Sequence, residues 1–229
     1  MKKYSVEEFR DKRDYLEKAY FGKVKEGFDI RYPAEEKIEE KIVEDFLKKG
    51  EIGLEVVAWK AGTEMELVDN KIVVEKNDGI IKTGRGKIIE IYKVEEYMNF
   101  IKAKWENYKG LKVTEKNFKT IYNAFRKPLK SEIKVGNFGS VYIINLLYFL
   151  SSEKWPIYDK FAHAAAKALV LDKHPKEVFV GGALDKNSVR DVTNMYWEYI
   201  EYIKGLGLYN GKIDRADDRA LWAYGHAKQ

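Results

Sequence analysis

No cysteine occurs among the 229 residues, which excludes disulfides, zinc sites built on thiolates and a cysteine-ligated iron–sulfur cluster. Histidine is scarce: His163, His174 and His226 stand far apart with no ligand-like spacing, so no resident metal is expected. The longest apolar run, Val141 to Leu150, is too short to span a bilayer and carries Asn145 in its middle. The opening MKKYSVEEFRDKRDY is charged and helical in pattern, without the apolar stretch of a signal peptide. A soluble, cytoplasmic protein with no membrane partner is expected. Internal repeats, low-complexity linkers and long disordered runs are also missing. The length suffices for one large domain or two small ones with a core that needs no covalent help.

What the chain does have is an uneven distribution of charge. The net charge is +5, yet Lys102 to Lys134 holds ten Lys/Arg against three Glu, a local +7 that leaves the remainder near −2. A basic segment of this kind suits contact with a phosphate backbone, and it equally suits the solvated faces of two amphipathic helices.

Hydrophobic periodicity places the elements. Ser5 and Glu8 form a capping-box pattern ahead of a first helix ending near Gly22. A second helix enters at Pro33 and stops before Gly50, with Ile38, Ile42, Val43, Phe46 and Leu47 on one face. Ile52 to Ala61 reads as a short buried helix stopped by Gly62. From Glu64 the period becomes two: Met65, Leu67, Asp69-Asn70, Ile72 and Val74 read as a hairpin. Ile80-Ile81 and Ile88 to Tyr92 add one or two strands around the GRG turn at Gly84 to Gly86. Val94, Tyr97, Met98, Ile101 and Trp105 mark a helix, and Thr114 caps another that Pro128 punctuates. Lys160 to Leu171, a long helix capped by Ser188 and Asp191, and a last helix from Asp214 to His226 complete the chain. The expected fold is mainly α with a small antiparallel β insertion. Residues 1–92 would form an N-terminal helical region carrying the insertion at about 63–92, and 93–229 a second helical region, with one continuous domain as the alternative.

One stretch combines a polar turn, a buried helix and an isolated acid: VGNFGSVYIINLLYFLSSEKWPIYD, Val135 to Asp159. Asn137 and Gly139 can take left-handed backbone angles, and Phe138 between them can tuck into the core. Such a turn at a helix N-terminus leaves amides pointing outward, where the helix dipole also favours an anion. Pro156 ends the segment and Asp159 enters the next helix.

This order resembles the helix–hairpin–helix DNA glycosylases, the superfamily of endonuclease III and adenine glycosylase. There, a turn of the type Leu-Pro-Gly-Val-Gly is followed about twenty residues later by a segment such as Pro-Ile-Leu-Asp, whose aspartate is catalytic. Here the turn is VGNFG and the later segment is PIYD, with Asp159 twenty positions after Gly139. WPIYDKFAHAAAKAL and DRADDRALWAYGH are also similar to uncharacterised prokaryotic proteins with this hairpin. The resemblance implies a helix–hairpin–helix glycosylase-like fold, duplex DNA as partner and base-excision chemistry. It implies that Gly136, Asn137, Phe138, Gly139 and Ser140 hold a DNA phosphate, with a monovalent cation on the carbonyl side of the turn as the one cofactor it allows. Arg126, Lys127, Lys130 and Lys134 would add backbone contacts, and Asp159 would serve a flipped nucleotide as the base departs. In bifunctional members a lysine stands two positions after the last glycine. That position is Val141 here, so monofunctional hydrolysis is the implied reaction.

The sequence departs from the family where Gly136 and Asn137 replace Pro and Gly, and where Phe161-Ala162 follow Asp159. Duller explanations stand beside each element. The hairpin can be an ordinary helix–helix turn, Asp159 can be an N-cap, and His163 can be a core or surface histidine. Gly84 to Lys87 lacks the full P-loop pattern and reads as a β-turn. A non-catalytic duplex-binding module acting with a partner in repair or defence is the alternative function, and an interaction protein that ignores nucleic acid is a third.

Overall fold

Ser5 accepts the Glu8 amide through its hydroxyl while the Glu8 carboxylate accepts the Ser5 amide, and this reciprocal cap starts the first helix, α1 (Val6–Asp11). In the computed structural model, which describes residues 3–24, 26–28, 35–49, 53–179 and 188–227, the chain is mainly helical with two small antiparallel hairpins. A break at Lys12 separates α1 from α2 (Arg13–Tyr20), and the turn beyond α2 carries Gly22 at φ 69°.

The remaining elements are α3 (Glu36–Lys49), α4 (Leu54–Ala61), β1 (Met65–Val68), β2 (Lys71–Val74), β3 (Ile80–Lys82), β4 (Ile88–Glu90), α5 (Ile91–Trp105), α6 (Glu115–Ser131), α7 (Ser140–Leu150), α8 (Lys160–Leu171), α9 (Pro175–Val178), α10 (Val189–Gly205) and α11 (Arg215–Gly225). Pro33, Gly50 and Ile52, read as boundaries around α3 and α4, lie outside the described residues, as do the side chains of Phe46 and Leu47. Gly62 ends α4 in the left-handed region at φ 65°, a conformation that favours glycine.

Contacts divide the chain into two compact units. One joins Met1–Pro33 to Pro156–Gln229, and the other is Ala34–Trp155. This grouping differs from a division at residue 92: α1 and α2 group with α8 to α11, while α3, α4 and both hairpins group with α5 to α7. In the first unit, Phe9, Leu16 and Ala19 are buried along with Leu221 and Tyr224 of α11. Alanines 162, 164, 165, 166 and 168 give α8 a low profile against which other helices approach closely. Polar clasps fasten the same elements: the Tyr4 amide donates to the Tyr224 hydroxyl at 2.8 Å, and Arg13 pairs with Asp214 and Asp217 at 2.9 and 2.6 Å.

In the second unit, Tyr97 and Ile101 of α5, Phe118, Ile121, Tyr122 and Phe125 of α6, and Ile143, Ile144, Leu146 and Leu147 of α7 make the core. The apolar stretch of α7 is thus buried as its composition requires. The Tyr97 hydroxyl donates to the Phe125 carbonyl at 2.7 Å, which satisfies the one polar atom of a buried ring.

Three local expectations are corrected. The strands make two separate two-stranded sheets, β1–β2 and β3–β4, rather than one. Ile91 and Tyr92 open α5 instead of extending a strand. Pro128 does not end α6, which continues to Ser131. A proline inside a helix forfeits one backbone hydrogen bond. Here its ring is buried on the apolar face, and both Glu132 and Ile133 amides close the helix on the Pro128 carbonyl.

Candidate nucleic-acid interface

Between α6 and α7 the chain turns through residues 132–139. Asn137 sits at φ 60°, the left-handed region that Asn tolerates better than most residues. Gly139 does not share it. As the N-cap of α7 it is extended, at φ −125° and ψ −164°, so the expectation of two left-handed residues holds for Asn137 alone. Phe138 is buried, stacked on Tyr142 with ring centroids 4.5 Å apart and edge-on to Tyr97 at 5.3 Å. That anchor orients Gly136 and Asn137 outward, where both are exposed.

Among the described residues no side chain caps α7. Among the described residues the amides of Gly136, Asn137 and Gly139 have no hydrogen-bond acceptor, while Tyr142 and Ile143 donate to the Gly139 carbonyl. Helix termini of this kind need water or a ligand to complete their hydrogen bonding. The Asn137 side chain is engaged elsewhere: its Nδ2 donates to the Ile88 carbonyl of β4 at 2.9 Å.

The candidate basic residues separate into two groups. Lys127, Lys130 and Lys134 are exposed on the end of α6 and the approach to the turn. Arg126 is buried, its guanidinium 5.9 Å from the centre of the Tyr122 ring, which assigns it to packing within the unit. Ser140 is also buried, with its hydroxyl 2.6 Å from that of Tyr122. Its side chain thereby fixes α7 to α6. The periodic pattern contained the signal for Arg126, which lies one residue after buried Phe125 on the same apolar face.

Asp159 belongs to the other unit. It caps α8, accepting the Phe161 amide at 2.8 Å, and is half-buried after four buried residues, Trp155 to Tyr158. One turn on, His163 is a core residue. Its Nδ1 lies 3.1 Å from the Tyr158 hydroxyl, and its Nε2 lies 3.3 Å from a Glu198 oxygen in a direction unsuited to hydrogen bonding. Burial lowers the His163 pKa to about 4, with Glu198 opposing that shift and Lys167 adding to it. Burial alone would raise the Glu198 carboxyl, but hydrogen bonds from Lys167 at 2.9 Å and Tyr202 at 2.8 Å hold it below its ordinary value. This cluster ties α8 to α10, and no local sequence pattern joins His163 and Lys167 to Glu198 and Tyr202, which lie more than thirty residues on.

Among the described residues no group of three or more His, Cys, Asp or Glu side chains stands where it could hold a metal ion. None of the described helices is long and apolar enough to cross a membrane. Compared with known proteins, the chain matches no protein-family model, no curated sequence and no solved structure.

Proposed function

We propose that this protein binds duplex DNA through the turn between α6 and α7, with a helix–hairpin–helix glycosylase-like fold, and that it releases a flipped base by N-glycosidic hydrolysis. One observation carries the binding: acceptor-free amides at Gly136, Asn137 and Gly139 adjoin a segment bearing exposed Lys127, Lys130 and Lys134. Main-chain donors at a helix start suit a phosphate oxygen, and the lysines supply the sequence-independent attraction to the backbone.

The chemistry falls to Asp159. As a base leaves, positive charge develops on the sugar, and a fixed carboxylate lowers the energy of that state or activates the attacking water. Val141 occupies the position from which a lysine would form a Schiff base, so strand cleavage by that route is not part of the proposal. The test is Asp159→Asn, which should keep duplex binding and abolish base release. Wild-type protein that releases no base from a panel of damaged and mismatched duplexes would reject the enzymatic part.

A second reading has an observation of its own. Oδ1 of Asp159 already serves the Phe161 amide as a helix cap, the ordinary structural use of aspartate at this position. On that reading the protein is a non-catalytic duplex-binding module acting with a partner in repair or defence, and Asp159→Asn changes no activity.

A further inference from the structure

The turn between β3 and β4, Thr83-Gly84-Arg85-Gly86-Lys87, is built more rigidly than a surface loop needs to be. The Thr83 amide donates to the Lys87 carbonyl at 2.8 Å and the Gly86 amide to the Thr83 carbonyl at 2.7 Å. The Thr83 hydroxyl, itself buried, accepts from the amides of Arg85 and Lys87 at 3.3 and 3.1 Å. Gly86 supplies the positive φ of 73° that the tip requires. At its base the turn is fastened to the end of α4 by the Gly84 amide, which donates to the Ala61 carbonyl at 2.9 Å.

This rigid frame displays a single sign of charge. From Gly79 to Ile89 the chain carries Lys82, Arg85 and Lys87 and no carboxylate, and all three cations are exposed. Among the described residues none of the three has an ion-pair partner, whereas Lys93, just beyond, is paired with Glu90. Ile88, next to Lys87, is 51% exposed, and Tyr92 in the first turn of α5 is 60% exposed, its hydroxyl donating to Glu90 at 3.4 Å. The hairpin is also physically joined to the α6–α7 turn, because the Ile88 carbonyl receives the Asn137 side-chain amide at 2.9 Å. One hydrogen bond therefore connects the acceptor-free amides of one turn to the strand that follows the cationic tip of the other.

We infer that the β3–β4 hairpin is a second nucleic-acid contact, a wing in which Arg85 and Lys87 hold backbone phosphates next to the phosphate held by the α6–α7 turn. Exposed Ile88 and Tyr92 at its base are placed to rest on sugars or base faces, as apolar side chains do in basic DNA-binding surfaces. The inference rests on the DNA-binding reading above and adds a contact to it.

The test is the salt dependence of duplex affinity for wild type, Arg85→Ala/Lys87→Ala and the control Lys71→Ala/Lys76→Ala, which removes equal charge from exposed positions outside this turn. Each phosphate contact contributes about 0.9 to the slope of log K against log salt. The wing variant should lose about 2 from the slope, and Arg85→Lys/Lys87→Arg should retain it, while the control matches wild type. A wild-type slope in the wing variant, alongside a reduced slope for the Lys127, Lys130 and Lys134 variant, would overturn the wing and leave the α6–α7 site standing. An equal loss in the control would reduce the wing to bulk charge and overturn it too. No DNA binding at low salt, or capture of the protein by phosphatidylserine vesicles in its place, would overturn both.

Discussion

A β-carbon on Gly225 of α11 would lie 2.2 Å from the backbone carbonyl oxygen of Phe161 in α8. The two helices cross at a point where no side chain fits, and the obstacle is main chain rather than a side-chain end that could swing aside. Gly225→Ala should destabilise the protein by about 1–3 kcal/mol, the range for overpacking a close interface. Urea unfolding measures this. An unchanged midpoint would show that α8 and α11 do not meet so closely.

The reverse effect is expected within α7. Asn145 is 1% exposed, and neither its side-chain nitrogen nor its oxygen has a hydrogen-bond partner among the described residues. A buried amide left in that state costs about 1–3 kcal/mol. Asn145→Leu should therefore raise stability by a similar amount in urea unfolding, and a loss of stability would mean that the amide has a partner to satisfy.

His163 makes stability depend on pH. In the unfolded chain it titrates near its ordinary 6.5, and in the fold near 4, so between those values the unfolded state binds more protons. Stability is thus full above about pH 6.5 and declines as the pH falls toward 4. The groups facing the ring are Tyr158 on the approach to α8, Lys167 on α8, and Glu198, Tyr199 and Tyr202 on α10. The loss should be roughly 2–3 kcal/mol between pH 7 and pH 4, in excess of that shown by His163→Gln. Equal pH profiles for the two proteins would place the imidazole in contact with water.

Asp159→Asn separates capping from chemistry, because asparagine caps a helix about as well as aspartate. Thermal and urea stability should stay within about 0.5 kcal/mol of wild type, while base release disappears. Retained base release in a stable Asp159→Asn protein would remove the carboxylate from the mechanism.

Much of this architecture is legible in the sequence because its signals are local. Ser5 with Glu8, Thr114, and Ser188 with Asp191 all cap as their spacing implies, and Gly62 ends its helix. What periodicity cannot convey is which surface a helix end shares with a distant strand. Nothing around Asn137 announces a hydrogen bond to Ile88, and nothing around Arg85 announces that its turn is fastened to α4. Charge alone groups Arg126 with its basic neighbours, although its place after Phe125 puts it on the packed face. Pro128 punctuates the sequence pattern because the steric rule is local, whereas the burial of its ring inside α6 is a tertiary effect. The packing of α1 and α2 with the C-terminal helices is likewise a long-range property, hidden from any window of a few residues.

The most direct test of the account is the affinity of the full chain for a labelled duplex, measured across salt concentrations for wild type and Lys127→Ala/Lys130→Ala/Lys134→Ala. These lysines are exposed, so the variant should fold as wild type does. Tight binding at low salt, a steep loss of affinity as salt rises, and a slope reduced by about 3 in the variant are expected. Absence of binding at low salt, or a variant whose slope equals that of wild type, would contradict it.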